Sequence, residues 1–195
     1  MIIIVGLGNL GKRYTKTRHN LGFRVVESLK LKVKSFSDWK YEKKFLAEIS
    51  WGKIDNQRVI LAKPRTFMND SGRSVKKIFL NLKSEILNLF VVHDDIDLPL
   101  GKIKVSVGRG AAGHKGAESI IKELKTKNFV RFRIGICPPT KNMVGGKPKN
   151  PEKFVLQKFT KEEEKIVKEA IKKTATAVEF SLKEGVEKAM SKYNK

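Results

Sequence analysis

Short apolar runs alternate with segments of helical periodicity along most of the chain. Residues 2–5 form a β-branched run closed by glycines, which is the pattern of a buried strand. After a polar loop, apolar residues recur at helical spacing at Phe23, Val26, Leu29 and Val33. This change of period predicts a strand followed by a helix.

The same alternation continues through the middle of the chain. Strands are predicted at residues 45–50 and 58–62, joined through residues 52–57, and at residues 89–93, 102–107 and 131–136. Helices are predicted around residues 75–82 and 119–124, and Asn69, Asp70 and Ser71 are N-cap candidates for the first of them. Strands interleaved with helices indicate one α/β domain around a mixed sheet, spanning residues 1–195.

The last third of the chain combines a loop with a helical segment. Residues 137–151 are rich in Pro, Gly, Lys and Asn, and we expect them to form a long mobile loop. Thr160 and Glu163 have the spacing of a capping box, which predicts a helix start. Gly185 interrupts the apolar pattern, so residues 160–193 are predicted to be helical in two parts.

The composition adds a large positive charge to this picture. The 195 residues include 42 Lys and Arg against 20 Asp and Glu, a formal net charge of +22. Such a surplus favours a polyanionic partner, either nucleic acid or an anionic membrane surface. The single cysteine, Cys137, excludes an intramolecular disulfide framework and a Cys-rich zinc site.

No apolar run approaches the roughly 20 residues that span a bilayer. The first predicted strand begins almost at Met1, which leaves no room for a signal peptide. We therefore expect a cytoplasmic protein that does not span a membrane. Of the two polyanionic partners, we expect nucleic acid and no membrane.

Gly6, Gly8 and Gly11 match G-x-G-x-x-G after a strand, a motif typical of dinucleotide binding. Such a site requires a helix that begins inside the motif, because the helix N-terminus binds the pyrophosphate. Here polar and cationic residues follow, and the apolar helix pattern starts only near Leu21. We interpret the glycines as allowing a tight turn and the close approach of a ligand to the backbone.

Two long stretches of the sequence contain no acidic residues, and both include predicted glycine-rich loops. Residues 1–26 contain Arg18 and Arg24 among five cationic side chains, and residues 98–117 contain Lys102, Lys104 and Lys115 among four. This placement favours a surface that follows phosphates over an ordinary solvated face.

The three histidines, His19, His93 and His114, each lie at a predicted junction of strand and loop. His93 is followed by Asp94 and Asp95, and paired carboxylates fit a magnesium site. One Asp fixing the tautomer of a histidine, as in hydrolytic triads, is a second interpretation. The third is that the acids end the strand and balance nearby lysines. Spacing alone leaves all three open.

Residues 63–72 form another predicted strand-to-helix junction, in which Lys63 and Pro64 end the strand. Asn69 is either the N-cap of the helix or a carboxamide directed at a substrate amide. Met68 fits either the core or a binding cleft.

Together these segments resemble the bacterial peptidyl-tRNA hydrolase family. The matching blocks are Gly6-Leu7-Gly8-Asn9, residues 17–22, residues 63–72, residues 93–102, Gly113-His114 with Gly116, and Arg131 with residues 133–136. They follow the order and spacing of the family through about residue 182. The resemblance implies a single α/β globule with a twisted mixed sheet flanked by helices.

The activity that the resemblance implies is hydrolysis of the ester between a peptide and the 3′ ribose of tRNA, so the expected partner is peptidyl-tRNA. His19 matches the catalytic histidine, Asp94 the acid that orients it, and Asn9 a cleft amide available to the developing oxyanion. An ester is already activated, so a neutral imidazole suffices as base and we expect no metal. We also expect no cofactor, and we expect the protein to be a monomer.

Further site residues follow from the same resemblance. The implied substrate-binding residues are Tyr14, Met68, Asn69, His114 and Lys115. The implied tRNA-binding residues are Lys102, Lys104 and Arg133, and the last two match a pair that clamps the 5′-terminal phosphate.

Two positions depart from the family pattern. Leu10 stands where the family usually has proline, and Lys115 where it typically has an asparagine that holds the attacking water or the peptide carbonyl. A protonated lysine cannot accept a hydrogen bond from water, so we expect an altered rate or pH dependence.

Each of the alternative functions rests on a single feature of the sequence. A non-catalytic RNA-binding protein of the same fold is the alternative that Lys115 leaves open, although His19 and Asp94 argue against it. A nucleotide-dependent oxidoreductase rests on the glycine motif alone, and a magnesium enzyme on the acidic pair alone.

Overall fold

A mixed sheet of seven strands organises the computed structural model, which describes residues 1–138, 143–144 and 147–195. Its strands are β1 (Ile2–Gly6), β2 (Lys40–Glu42), β3 (Ala47–Ile54), β4 (Gln57–Pro64), β5 (Leu89–Pro99), β6 (Ile103–Ser106) and β7 (Val130–Cys137). They lie in the order β2-β3-β4-β1-β5-β7-β6. The central strands β4, β1, β5 and β7 are parallel, whereas β2, β3 and β6 pair antiparallel with their neighbours.

Helices cover both faces of this sheet. They are α1 (Leu21–Lys32), α2 (Ser71–Asn81), α3 (Lys115–Leu124), α4 (Pro151–Val155), α5 (Lys161–Glu184) and α6 (Val186–Tyr193). Apolar residues of α1, α5 and α6 form one core layer with the sheet, and those of α2 and α3 form the other. The predicted fold class, one α/β domain with a mixed sheet flanked by helices, is confirmed. Within the described residues, no helix combines the length and the apolar composition needed to cross a membrane.

The hairpin of β3 and β4 is tighter than predicted. β3 continues through Gly52 to Ile54, and the chain turns at Asp55 and Asn56, whose φ values are 45° and 62°. Asx residues tolerate this left-handed conformation and favour tight hairpin turns. Gly52 is therefore not part of the turn; a Cβ there would lie 2.4 Å from the ring of Phe36.

The helix starts confirm one capping prediction and correct another. Thr160 and Glu163 form the predicted capping box, and Gly185 separates α5 from α6 with a φ of 94°. At the start of α2, Asp70 occupies the N-cap position, but its side chain makes no capping hydrogen bond. Neither Asn69 nor Asp70 is thus tied to capping.

The predicted loop at residues 137–151 contains short regular elements. Met143–Val144 (β8) and Lys147–Pro148 (β9) pair antiparallel, and α4 begins at Pro151. Residues 139–142 and 145–146 lie outside the described residues, so the predicted mobility of this loop stays a prediction.

Candidate active site

The carboxyl edge of the parallel strands opens into a cleft of about 840 Å³. In α/β folds this edge is where ligands usually bind. Of the residues predicted to form the site, the cleft is lined by Asn9, His19, Met68, Asn69, Asp94, His114 and Lys115. The structure therefore brings these seven residues together in one cavity from five separate places in the chain.

A close contact between α1 and the sheet sets the position of His19. His19 lies in a short 3-10 turn, Arg18–Asn20, directly before α1. A Cβ on Gly22, in the first turn of α1, would lie 2.3 Å from both the backbone N of Leu7 and the carbonyl O of Val92. Only glycine lets the helix approach so closely, and this approach carries His19 to β5.

The first two glycines of the motif pack against α1. A Cβ on Gly6 would lie 2.3 Å from the carbonyl O of Gly22, and one on Gly8 would lie 2.7 Å from the ring of Phe23. Both glycines make room for α1. This packing accounts for glycine at both positions, and the close approach of a ligand to this backbone stays a prediction.

Asp94 is shared by two imidazoles. Its Oδ1 lies 2.9 Å from Nδ1 of His19 and 3.1 Å from Nε2 of His114. His114 Nδ1 accepts the backbone N–H of Ala117, so the proton of the neutral imidazole is on Nε2 and faces Asp94. An ionised carboxylate only accepts, so His19 donates through Nδ1 and keeps the lone pair on Nε2. This is the tautomer that a general base in the cleft requires.

The electrostatics of this group keep Asp94 ionised and His19 basic. Burial raises the pKa of Asp94, but the charges and hydrogen bonds of the two imidazoles outweigh it and leave the pKa well below 3.8. Burial lowers the pKa of His19, but the charge and hydrogen bond of Asp94 raise it above 6.5. The positive charge of Lys115 acts in the opposite direction on His19.

The three histidines lie together, although His93 is inside β5 and not at the predicted junction of strand and loop. The ring of His114 lies 4.7 Å from that of His19 and 4.4 Å from that of His93, measured between centroids. His93 is fully buried and donates from Nδ1 to the carbonyl of Asp94 at 2.6 Å. Burial and the neighbouring His114 lower the pKa of His93 well below 6.5, so this histidine is neutral.

Of the three interpretations of the acidic segment, the geometry supports an Asp that orients a histidine. The acids do not end the strand, since β5 runs through them to Pro99. The Asp95 carboxylate is already paired with a cationic side chain, because Nε of Arg133 lies 2.5 Å from its Oδ2.

His19, Asp94 and His114 offer ligand atoms within 4.8 Å of one another, a set that can hold a metal ion. A metal on Nε2 of His114 would displace the proton held there. That proton would have to move to Nδ1, which now accepts the Ala117 N–H, and α3 would lose its cap. The tautomers present thus fit proton transfer better than metal binding.

Arg18, which sequence reasoning assigned to a phosphate-following surface, is instead an internal anchor. It is 4% exposed, and its guanidinium contacts both carboxylate oxygens of Glu163 at 2.7 and 2.9 Å. The rings of Phe154 and Phe159 lie 4.3 and 4.6 Å from it. The turn that carries His19 is therefore fixed to the start of α5. Arg24 is similarly paired with Glu164, so neither arginine is available to phosphates.

Asn20 has a structural role that the sequence did not predict. Its side-chain Oδ1 accepts the backbone N–H of Asn9 and its Nδ2 donates to the Asn9 carbonyl, both at 2.9 Å. These bonds fix the backbone of the glycine loop beside His19. Asn20 belongs to the block of residues 17–22 that resembles the family, but the resemblance did not indicate what its side chain contacts.

The remaining predicted residues occupy different environments. Met68 is 5% exposed, and its Sδ would lie 2.6 Å from a Cβ on Gly116, so Met68 packs in the core and also lines the cleft. Asn69 is exposed at the cleft. Tyr14 is not among the residues that line the cleft and stacks with the guanidinium of Arg13, 4.5 Å from its ring centroid.

The predicted tRNA-binding cations lie on the neighbouring edge of the sheet. Lys104 of β6 pairs in register with Arg133 of β7, so their side chains share one face. Lys104 and Lys102 are exposed, whereas Arg133 is partly buried through its contact with Asp95.

Comparison with known proteins places this geometry in a family. A sequence model of the peptidyl-tRNA hydrolase family matches residues 3–195. The chain belongs to this family. It is 39% identical over 194 residues to a peptidyl-tRNA hydrolase from Syntrophomonas wolfei, with all of both chains covered. It is 40% identical over 201 residues to that of Thermodesulfovibrio yellowstonii, again with full coverage of both.

Solved structures of the same family share the fold. The crystal structure of peptidyl-tRNA hydrolase from Acinetobacter baumannii superposes with a TM-score of 0.87 at 34% identity, covering 100% of this chain and 94% of that one. The predicted membership of the peptidyl-tRNA hydrolase family, and with it the prediction of an enzyme of this class, is confirmed.

Proposed function

We propose that this chain cleaves the ester between the peptide and the 3′ ribose of tRNA, with His19 as general base on water and Asp94 as the group that orients it. In the cytoplasm, acting as a monomer, it would recycle tRNA from stalled or aborted translation. The observation that carries this proposal is the buried Asp94 carboxylate, 2.9 Å from Nδ1 of His19, which leaves the Nε2 lone pair of a cleft-lining imidazole for catalysis.

The reaction proceeds by proton transfer at this nitrogen. Nε2 of His19 takes a proton from water as the water oxygen bonds to the ester carbonyl carbon. The imidazolium then gives the proton to the 3′ oxygen as its bond to the acyl carbon breaks. Asp94 stabilises the imidazolium between the two transfers. General-base assistance of this kind contributes about 10²–10⁴-fold.

An amide group is available for the negative charge that develops on the carbonyl oxygen. Asn9 and Asn69 both line the cleft, and Asn20 holds the Asn9 backbone at its N–H and its carbonyl. These bonds fix the backbone that carries the Asn9 amide, and removal of one preorganised donor typically costs about 3–4 kcal/mol of transition-state stabilisation. Met68 and His114 would contact the peptide beside these amides, with Tyr14 outside the cleft.

The tRNA body would bind along the basic edge formed by β6 and β7. Lys104 and Arg133 face the same side in direct register, and Lys102 lies two residues before Lys104. Because Asp95 holds Nε of Arg133, the guanidinium has a fixed orientation for a phosphate. We assign the 5′-terminal phosphate to Lys104 and Arg133.

The test is release of N-acetylphenylalanine from N-acetylphenylalanyl-tRNA by the purified chain. The enzyme is first incubated with EDTA, and the chelator is removed before the assay so that the Mg²⁺ that tRNA needs can be supplied. Full activity after this treatment supports the proposal. Tight tRNA binding without cleavage would favour the non-catalytic RNA-binding protein, and loss of activity restored by a transition metal would contradict the mechanism.

A further inference from the structure

Lys115 places a positive charge inside the cleft. It is the first residue of α3, and its Nζ lies 2.8 Å from Oε1 of Glu152 in α4. Both side chains line the cleft with His19, and they are 55% and 74% exposed. An ion pair so exposed contributes little to stability, so its position at the cleft needs another explanation.

The acids that line the cleft each have a partner. Asp94 accepts hydrogen bonds from two imidazoles, Asp95 is paired with Arg133, and Glu152 is paired with Lys115. Among the described lining residues, each carboxylate therefore has a partner, and Lys115 is the partner that cancels the charge of Glu152. The field of Lys115 also reaches the reacting centre, since its charge acts on the pKa of His19.

Two classes of tRNA ester differ in charge next to the scissile bond. In peptidyl-tRNA the α-nitrogen is a neutral amide, whereas in aminoacyl-tRNA it is an amine that is protonated below a pKa of about 8. This nitrogen is one carbon away from the ester carbonyl, so it must enter the cleft close to His19 when the ester is in position.

We propose that Lys115 is a specificity-determining residue that excludes aminoacyl-tRNA by repelling its α-ammonium group, while it neutralises Glu152, which would otherwise attract that group. The inference rests on the proposed hydrolysis of tRNA esters. Specificity of this kind comes from a repulsive element that acts on the wrong substrate alone. The acetylated substrate has no α-charge and does not experience it.

The experiment compares N-acetylphenylalanyl-tRNA with phenylalanyl-tRNA, which differ only in the acetyl group. The ratio of their kcat/KM values at pH 6.5 measures the discrimination. Replacement of Lys115 by Met removes the charge and frees Glu152, so the ratio falls by about 3–10-fold, as expected for like charges a few ångströms apart in partly screened surroundings. Lys115→Arg keeps the ratio, and Glu152→Gln increases it.

Two controls separate this effect from a general change in charge or fold. Lys122→Met removes a lysine from the same helix, two turns away, and leaves the ratio unchanged. At pH 9, where the amine is neutral, the parent and Lys115→Met give the same ratio after correction for spontaneous hydrolysis. A ratio that Lys115→Met leaves unchanged at pH 6.5 overturns the inference, provided that the parent cleaves the acetylated substrate. Failure of the parent to cleave it contradicts the proposed function instead.

Discussion

Nε2 of His114 lies 3.1 Å from Oδ1 of Asp94, on the same oxygen that contacts His19. The resemblance assigned His114 to substrate binding, and the residue does line the cleft. The geometry gives it a second role, because a carboxylate that accepts two N–H groups is held in place and kept ionised. His114 thus acts on His19 through Asp94, as a positioning residue.

Replacement of His114 by Asn separates its two contacts. Asparagine still offers an oxygen to cap α3, but it cannot reach Asp94 with an N–H. With one donor fewer, Asp94 holds the His19 proton more strongly, so the apparent pKa of His19 rises. We expect kcat to fall by about 10-fold. The free energy of unfolding, measured by urea denaturation, changes by about 1 kcal/mol or less. An unchanged pH profile with an unchanged kcat would show that this contact has no part in catalysis.

The pH dependence of the reaction is set by His19. The base must be unprotonated, so kcat/KM rises with pH through the His19 pKa, which lies above 6.5. The charge of Lys115 lowers that pKa, so Lys115→Asn moves the rising limb to higher pH. The check is a profile of kcat/KM between pH 5 and pH 9 for both proteins, on the acetylated substrate. Superimposable profiles would show that Lys115 does not act on the site.

The anchor between Arg18 and Glu163 links stability to catalysis. Glu163→Gln leaves a buried guanidinium without its counter-charge, and we expect a loss of about 3–5 kcal/mol in the free energy of unfolding. Because Arg18 precedes His19, kcat falls as well. Glu164→Gln is the matched control, since it breaks the more exposed pair with Arg24 and costs about 1 kcal/mol or less. Equal losses in the two variants would contradict the anchoring role.

Salt dependence tests the assignment of the tRNA phosphate. Arg133→Ala and Lys104→Ala should each raise KM and flatten the slope of log(kcat/KM) against log salt, by about 0.7–0.9 for each phosphate that the variant no longer neutralises. Lys172→Ala, on α5 at the opposite face of the sheet, keeps the slope. An effect on kcat alone would contradict the assignment.

Local sequence patterns predicted most of the fold. They failed where a residue far away in the sequence determines the environment of a side chain. A strand was predicted only for residues 89–93, where the apolar run ends. Asp94 and Asp95 nevertheless remain in β5, since His19 and Arg133 supply their counter-groups. Arg18 lies in a stretch of sequence without acidic residues, but in the structure it is buried and paired with Glu163, 145 residues away.

The same limit applies to Arg131. Its strand alternates charged and apolar residues, which is typical of a half-exposed strand, yet Arg131 is fully buried. Burial and the charge of Arg133 lower the pKa of its guanidinium to about 10. β7 lies between β5 and β6 and is covered by helices, a position that the order of residues in the strand does not encode.

The role of His19 as general base is tested most directly by single-turnover hydrolysis of N-acetylphenylalanyl-tRNA by the parent and by His19→Ala, with tRNA affinity measured in parallel. We predict that the variant loses about 10²–10⁴-fold in rate and binds tRNA as tightly as the parent. Cleavage by the variant at the parental rate would show that His19 is not the base.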